Sequence, residues 1–359
     1  MNFSCKKCIA AILFSCGISI ASAQYVTLPT EARQVYESAN TALSNGDFSN
    51  AIMLYAQAIR IAPDNVMLRR DLAYTYFLSG NKQKAQEIIE PVVNSDVADE
   101  QTFQVASAIE AALGNNNKAA KYINAGLKKF PQSGILYNAK GNLALSDKKG
   151  GKTAIDAWQE GISADPGYHG NYYNAAKYYL ANGNPVWAAL YAEIYVNLDP
   201  YSPKSVEMKK LITDAYQELF APDNMDGLPE FNSPQKKSST VTNSLNQKTF
   251  SGAYKATMLN NAVVLSGGMV TERLIMLRTR FILDWNRNFT DRYFFTLFSY
   301  HDKLLRTGNF DAYNQWLFGA ADNSQLFSIW IKSNQDAYAR FEQWQKDNPY
   351  MPAVSDPKP

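Results

Sequence analysis

Residues 39–63 read ANTALSNGDFSNAIMLYAQAIRIAP and contain the pattern on which the fold prediction rests. Ala39 and Ala51 stand on either side of a central turn, where a short side chain lets two helices approach closely. Gly46 fits the left-handed backbone conformation that commonly ends a helix. Pro63 cannot continue a helix and therefore marks the end of the second one. This stretch predicts two antiparallel helices joined by a short turn.

The pattern returns along the chain with a period of about 34 residues. The prolines at positions 63, 131, 166 and 200 are separated by 68, 35 and 34 residues, and the first interval holds two periods. Five units follow from this spacing, at residues 32–65, 66–99, 100–133, 134–168 and 169–202. Such self-similarity indicates a repeat architecture, in which each unit buries its apolar face against the next.

Each unit resembles the tetratricopeptide repeat, a helix–turn–helix motif of 34 residues. The resemblance covers residues 32–202 and implies an all-α superhelical solenoid, in which the first helix of each unit (helix A) lines a concave groove. The second unit departs from the pattern, because it has Val97 where a proline is expected and Pro91 inside its second helix (helix B). We therefore expect this unit to be kinked or less regular.

The rest of the chain is predicted to add a linker and a smaller helical domain. Five repeat units over 24–202 are followed by a capping helix at 203–220, a linker at 221–249, a C-terminal helical domain at 250–347 and a tail at 348–359. The capping helix begins with Ser202 and Pro203, a favourable helix start, and places Val206 on its apolar side. Three prolines and a run of lysine, serine and threonine indicate the linker.

The resemblance also implies which helix A residues face the groove. The predicted ligand contacts are Arg33, Tyr36, Asn40, Arg70, Tyr74, Gln104, Asn138, Asn142, Tyr173 and Lys177. This set contains amides, tyrosines and basic residues but no acid, and amides can pair with the main chain of an extended peptide. The family's carboxylate clamp is not reproduced, because Tyr36 and Asp71 stand at two of its positions. The alternative is that these side chains only solvate an exposed face.

Three features of the C-terminal domain offer further hypotheses. Its dense aromatic residues favour core packing, with a sugar-binding platform as the alternative. Arg273, Arg280 and Arg287 share one helix face and form a candidate anion-binding site, although Asp284 lies four residues after Arg280 and favours an ion-paired face. His301 is interpreted as a lone surface or core histidine rather than a proton-transfer group.

Residues 1–23 are predicted to be a secretory signal peptide. Lys6 and Lys7 precede an apolar stretch at 8–20, and Ala21-Ser22-Ala23 fits a cleavage site. The expected product is exported, periplasmic or secreted, and carries no later membrane-spanning segment. Lipid attachment at Cys16 is the less favoured alternative, because Phe14 departs from a lipoprotein signal.

Composition excludes several function classes. All three cysteines lie in the leader, which excludes disulfides, thiolate zinc sites and a cysteine nucleophile from the mature chain. Removing Lys6 and Lys7 with the leader leaves 33 basic and 33 acidic residues, a balance that argues against a nucleic-acid binder. With two histidines and no cofactor motif, no metal site and no cofactor are expected.

The sequence therefore favours an exported, non-enzymatic adaptor that binds a peptide or protein segment in its groove. A carbohydrate-binding protein that uses the aromatic C-terminal domain is the first alternative. An enzyme with its site at residues 250–345 is the second, and no nucleophile, metal or cofactor motif supports it.

Overall fold

The structure is a computed structural model that describes residues 28–221 and 247–359. The predicted signal peptide, with Cys16, and most of the predicted linker lie outside the described residues. All regular elements of the described residues are helices, as the sequence predicts. The chain forms two compact units, one ending at Ala164 and the other beginning at Asp165. The fifth repeat thus belongs with the helices that follow it.

The first unit contains four helix pairs. Its helices are α1 (Thr30–Ser44), α2 (Phe48–Ile61), α3 (Val66–Leu78), α4 (Lys82–Val93), α5 (Glu100–Ala112), α6 (Asn116–Lys129), α7 (Gly134–Leu145) and α8 (Gly151–Ala164). Each helix packs against the next one in the chain, and the A helices α3, α5 and α7 also pack side by side. This is the arrangement that the repeat predicts.

The small residues of the repeat lie at the helix contacts. Ala39, Ala51 and Ala119 have no exposed surface, and a Cβ on Gly141 would lie 2.3 Å from Nε1 of Trp158. A larger side chain at these positions would push the paired helices apart, because packed interiors hold little free volume.

Glycine ends helix A in the predicted places. Gly46 has a φ of 76°, and its amide donates to the carbonyl of Leu43 while the amide of Asp47 donates to that of Ala42. This pair of bonds satisfies carbonyls that the end of the helix leaves open. The same left-handed turn occurs at Gly80, Gly114 and Gly183. Asp47 then caps α2 by accepting a hydrogen bond from the amide of Asn50.

Helix B ends two residues before each repeat proline, at Ile61, Lys129, Ala164 and Leu198. In the second unit, Pro91 lies in the last turn of α4, which ends at Val93 without a repeat proline after it. This helix has 12 residues, against 14 in each of the other B helices. The expected irregularity is therefore a shorter helix B.

The second compact unit continues the helical architecture. Its helices are α9 (His169–Ala181), α10 (Pro185–Leu198), α11 (Pro203–Leu219), α12 (Phe250–Asn260), α13 (Thr271–Asn288), α14 (Thr296–Arg306), α15 (Phe310–Asn314), α16 (Ala320–Ser333) and α17 (Gln335–Asp347). A 3₁₀ turn at Ala262–Leu265 and a π-helical turn at Gln315–Gly319 complete it. None of the described helices combines the length and apolar character needed to span a membrane.

The predicted capping helix, α11, has neighbours on two sides. It packs against α10 and also against the π-helical turn and α16. Met208, Leu211 and Tyr216 are buried, whereas Val206 is 71% exposed. The placement of Val206 on the buried side is therefore wrong, because the buried face follows positions 205, 208, 212 and 215 instead.

Aromatic rings fill the contact between α10 and the C-terminal helices. Trp187 stacks on Phe250 with ring centres 5.2 Å apart, and its indole nitrogen donates to Oγ of Ser251 at 2.8 Å. Phe281 and Trp285 pack edge-to-face with Phe298. These rings are buried, as the core-packing interpretation predicts.

The last helical stretch is interrupted twice. Asn323 has a non-helical backbone and accepts hydrogen bonds from the amides of Gln325 and Leu326, so it caps the helical turns that follow it. The helix also breaks at Asn334, where α17 begins. Gly308 ends α14 with a φ of 69° and the same two backbone bonds as the repeat turns. Gly308 therefore forms the same kind of turn as the repeat glycines.

Candidate binding site

In the first unit, the predicted contact residues lie on four A helices. We call this set the A-helix face, and it comprises Arg33, Tyr36, Asn40, Arg70, Tyr74, Gln104, Asn138 and Asn142. The face is unequally exposed: Tyr36, Arg70 and Asn138 are buried, and the remaining five residues are half-buried.

A network of polar groups joins the first three A helices. The hydroxyl of Tyr36 donates to Asp71 at 3.1 Å, and Nε of Arg70 donates to the same carboxylate at 2.8 Å. A terminal nitrogen of Arg70 reaches Asp99 at 2.6 Å, and Asp99 also caps α5 by accepting from Thr102. The positive charge of Arg70 is therefore neutralised inside the protein. The two acids that neutralise it, Asp71 and Asp99, are not among the predicted ligand contacts.

The electrostatics of this network match its geometry. Burial lowers the pKa of Arg70, but the carboxylates of Asp71 and Asp99 outweigh it and raise the pKa overall. Burial, together with the charge of Asp71, raises the pKa of Tyr36 well above its usual range. Arg70 therefore stays charged and Tyr36 stays neutral at physiological pH, so the network is a fixed structural element.

Asn138 and Asn142 lie one turn apart on α7. The amide nitrogen of Asn142 donates to Oδ1 of Asn138 at 3.0 Å, which orients the half-buried Asn142. The amide nitrogen of Asn138 is buried and has no acceptor among the described residues. An unsatisfied buried donor costs about 1–3 kcal/mol. The pair therefore combines the oriented, half-buried amide of Asn142 with a buried donor on Asn138 that has no acceptor among the described residues.

The remaining two predicted contacts belong to the second unit. Tyr173 donates to Glu207 at 2.6 Å, and the ammonium of Lys177 reaches the other carboxylate oxygen at 2.7 Å. Lys177 and Lys204 both place their ammonium groups about 5 Å from the centre of the Tyr173 ring. Burial lowers the pKa of Lys204. This half-exposed cluster holds two cations, one anion and an aromatic ring.

The three arginines of the predicted anion site differ in exposure. Arg280 and Arg287 are exposed on α13, whereas Arg273 is half-buried and donates to the carbonyl of Val264 at 3.3 Å. Asp284 accepts a hydrogen bond from Asn261 at 2.9 Å rather than pairing with Arg280. Anion binding by these arginines stays a prediction.

A buried charge cluster in the second unit was missed by sequence reasoning. Glu193 of α10 accepts hydrogen bonds from both terminal nitrogens of Arg278 and from the hydroxyl of Tyr313, the latter at 2.7 Å. Nε2 of His301 lies 2.8 Å from the same carboxylate. Glu193, Arg278 and His301 are each about 3% exposed, so His301 is a core residue in an ion network.

The signal for this cluster is visible in retrospect. Glu193 is the single acid in the apolar stretch of α10, and Arg278 lies among the buried positions of α13. Burial raises the pKa of Glu193, but Arg278 and His301 outweigh it and hold the pKa below its usual range. Burial lowers the pKa of His301. Enclosed in the core, the cluster joins α10, α13, α14 and α15.

Within the described residues, no group of three or more histidine, cysteine, aspartate or glutamate side chains is arranged to hold a metal ion. The nearest approach to a catalytic constellation is the Glu193 cluster, whose polar groups are enclosed by the core.

The chain resembles one protein family and several solved structures. The tetratricopeptide repeat family model matches residues 42–109. No curated protein matches the chain in sequence. Among solved structures, MamA is 20% identical, covers 48% of this chain and 94% of its own, and gives a TM-score of 0.34.

Two further solved structures are helical repeat proteins. YrrB, described as a TPR protein with an unusual peptide-binding site, is 16% identical over 50% of this chain and 92% of its own, with a TM-score of 0.32. A tetratricopeptide repeat protein from Parabacteroides merdae is 13% identical over 76% of this chain and 97% of its own, with a TM-score of 0.37. The family match identifies tetratricopeptide repeats at residues 42–109, and helix pairs of the same form continue as far as Leu198.

Proposed function

We propose that this protein is a non-catalytic adaptor that binds an extended peptide segment on its A-helix face. The observation that carries the proposal is the state of the charges on that face. Arg70, its most buried cation, is neutralised by Asp71 and Asp99. The other half-buried side chains of the face in the middle of the unit are neutral hydrogen-bonding groups, namely Tyr74, Gln104 and Asn142.

Neutral amides and hydroxyls suit a peptide main chain better than a charged ligand. A carboxamide offers a donor and an acceptor, which match the carbonyl and amide of an extended peptide. Tyr74 adds flat contact area with few rotatable bonds. Because α3, α5 and α7 pack side by side, these three side chains stand on adjacent helices, and a peptide would cross them in turn.

Selection from a phage-displayed library of random 12-residue peptides on the full chain tests this function. We expect enriched peptides that bind the native protein and bind the Asn142→Ala and Tyr74→Ala variants at least tenfold more weakly, a loss of about 1.4 kcal/mol for each tenfold. Asn124→Ala, an exposed substitution on helix B α6, is the matched control and should leave binding unchanged. Failure to enrich any peptide, or equal binding by all variants, would contradict the proposal.

Export is part of the same proposal and is tested separately. It rests on the leader sequence, with cleavage expected after Ala23. Mass spectrometry of the protein purified from its native host should give an amino terminus at Gln24. An intact leader, or a lipid-modified Cys16 at the amino terminus, would contradict it.

Binding of carbohydrate by the C-terminal aromatic residues stays an untested alternative. Phe294 is 55% exposed in this region, but the packed rings Phe250, Phe281 and Trp285 are at most 7% exposed. A flat sugar platform needs exposed ring faces, so their burial gives this alternative no support.

A further inference from the structure

The outer face of α13 carries a regular stripe of two kinds of residue. Arg273, Met276, Arg280, Leu283 and Arg287 follow one another at alternating spacings of three and four residues. Such spacing places the five residues along one side of the helix over about 21 Å. We call this set the arginine–aliphatic stripe.

The aliphatic residues of the stripe are exposed to solvent. Met276 is 48% exposed and Leu283 is 56% exposed, although the opposite side of α13 buries Leu277, Phe281 and Trp285. The inner side already supplies the apolar contact that fixes α13 in the unit. The exposed methionine and leucine are therefore not needed for that packing, and each costs free energy by contacting water.

The positive charge of the stripe is not neutralised within the described residues. Arg280 and Arg287 make no ion pair there, and Asp284, the acid best placed for one, accepts from Asn261 instead. The next acid on the helix, Glu272, lies 3.4 Å from the amide nitrogen of Gln315. Two exposed cations thus alternate with two exposed apolar side chains.

We propose that the arginine–aliphatic stripe docks an amphipathic helix of a partner protein, whose acidic residues pair with the arginines and whose leucines cover Met276 and Leu283. The alternation of arginine and apolar residues supports this partner. Side chains that recur every three or four residues on one helix pack against side chains with the same spacing on another. This site is separate from the A-helix face, and its proposal does not depend on the proposed function.

Two other ligands would fit the stripe less well. A simple polyanion would pair with the arginines but would leave Met276 and Leu283 exposed, so it would use only part of the surface. A second copy of α13 would place six arginines in one seam with no acid between them, and like charges in contact are unfavourable. An acidic amphipathic helix satisfies both kinds of residue.

The test uses a 21-residue fluorescent peptide that is helical and carries Leu and Glu at alternating three- and four-residue spacings. We expect saturable binding to the full-length protein by fluorescence anisotropy. The double substitution Arg280→Glu with Arg287→Glu should weaken binding at least tenfold. Lys148→Glu with Lys149→Glu makes the same change of charge in an exposed turn and should have no comparable effect.

The apolar half of the proposal has its own readout. Leu283→Ser should weaken binding of the peptide about three- to tenfold, and a peptide with Ser in place of every Leu should not bind. Inorganic polyphosphate should compete poorly. Absence of saturable binding, or equal losses in the two charge-reversal variants, would overturn the proposal. So would full binding by the Ser-substituted peptide, which indicates a polyanion site, or Leu283-dependent self-association in sedimentation, which indicates a second copy.

Discussion

Both terminal nitrogens of Arg278 donate hydrogen bonds to the carboxylate of Glu193, which lies 85 residues earlier in the chain. The two side chains are 3% and 4% exposed, so the pair joins α13 to α10 inside the core of the second unit. A buried ion pair contributes little when compared with a well-packed apolar pair, but loss of one partner leaves the other charge uncompensated.

Glu193→Gln should therefore destabilise the protein strongly. The glutamine keeps the size of the side chain but leaves the guanidinium of Arg278 buried without a counter-charge, and we expect a loss of about 3–5 kcal/mol in the free energy of unfolding. Urea denaturation followed by tryptophan fluorescence measures this loss. Glu207→Gln removes an exposed ion pair with Lys177 and should cost less than about 1 kcal/mol. Equal effects of the two substitutions would contradict the role of the cluster.

The same cluster should make stability fall in acid. Because the pKa of Glu193 is held below its usual range, its contribution is present above the pKa of an unfolded glutamate and is lost as the pH falls through the folded value. The native protein should lose more stability than Glu193→Gln between about pH 5.5 and about pH 3.5. Urea midpoints at the two pH values give the comparison, and parallel losses would show that other carboxylates dominate.

The buried ammonium of Lys209 should destabilise the protein at neutral pH. Its ammonium donates to the carbonyl of Trp316 at 2.8 Å and lies 3.7 Å from the centre of the indole ring. Burial lowers the pKa of Lys209 to about 7. Between this value and the pKa of an unfolded lysine, about 10.4, the unfolded chain binds the additional proton, so stability rises with pH across that window.

Lys209→Met should accordingly stabilise the protein near neutral pH and below. We expect a gain of about 1–2 kcal/mol at pH 6, because the cation–π contact with Trp316 offsets part of the burial cost, and a smaller gain at about pH 9.5. Urea denaturation at both values measures the difference. Lys210→Met, on the exposed side and paired with Asp214, is the control. A gain that does not shrink at high pH would contradict the explanation.

Arg70 should prove to be a structural residue in any binding assay. Arg70→Met leaves Asp71 and Asp99 without their shared cation, and we expect a loss of about 2–3 kcal/mol in the free energy of unfolding. Arg69→Met, one residue earlier and exposed, should change stability by less than about 0.5 kcal/mol. Thermal denaturation of the two variants decides, and equal stability would show that the network is dispensable.

The repeats could be predicted from the sequence because their signals are local. Gly46 and Ala51 specify a turn and a close helix contact through properties of the backbone and of side-chain size, and the structure confirms both. The buried face of α13, with Leu277 and Trp285, follows its helical period in the same way. These elements could be predicted because they depend on residues that are close together in the sequence.

The polar networks could not be predicted in the same way. Arg278 contacts Glu193 only after α13 packs against α10. The seven-residue spacing of Arg273 and Arg280 predicted an anion site on a different side of α13. Likewise, Asp99, which reaches Arg70, lies 29 residues further along the chain, at the end of the same repeat. Side chains on separate helices share no periodicity that a single sequence displays. The A-helix face was located by resemblance, and its internal charge balance required the structure.

The most direct test of the central claim combines affinity and stability in the Asn138→Leu variant. The substitution removes a buried donor that has no acceptor among the described residues, together with the group that orients Asn142. Isothermal titration with a selected peptide should show at least tenfold weaker binding, whereas urea denaturation should show unchanged or higher stability. Unchanged affinity in a stably folded Asn138→Leu variant would contradict the assignment of the A-helix face as the peptide-binding surface.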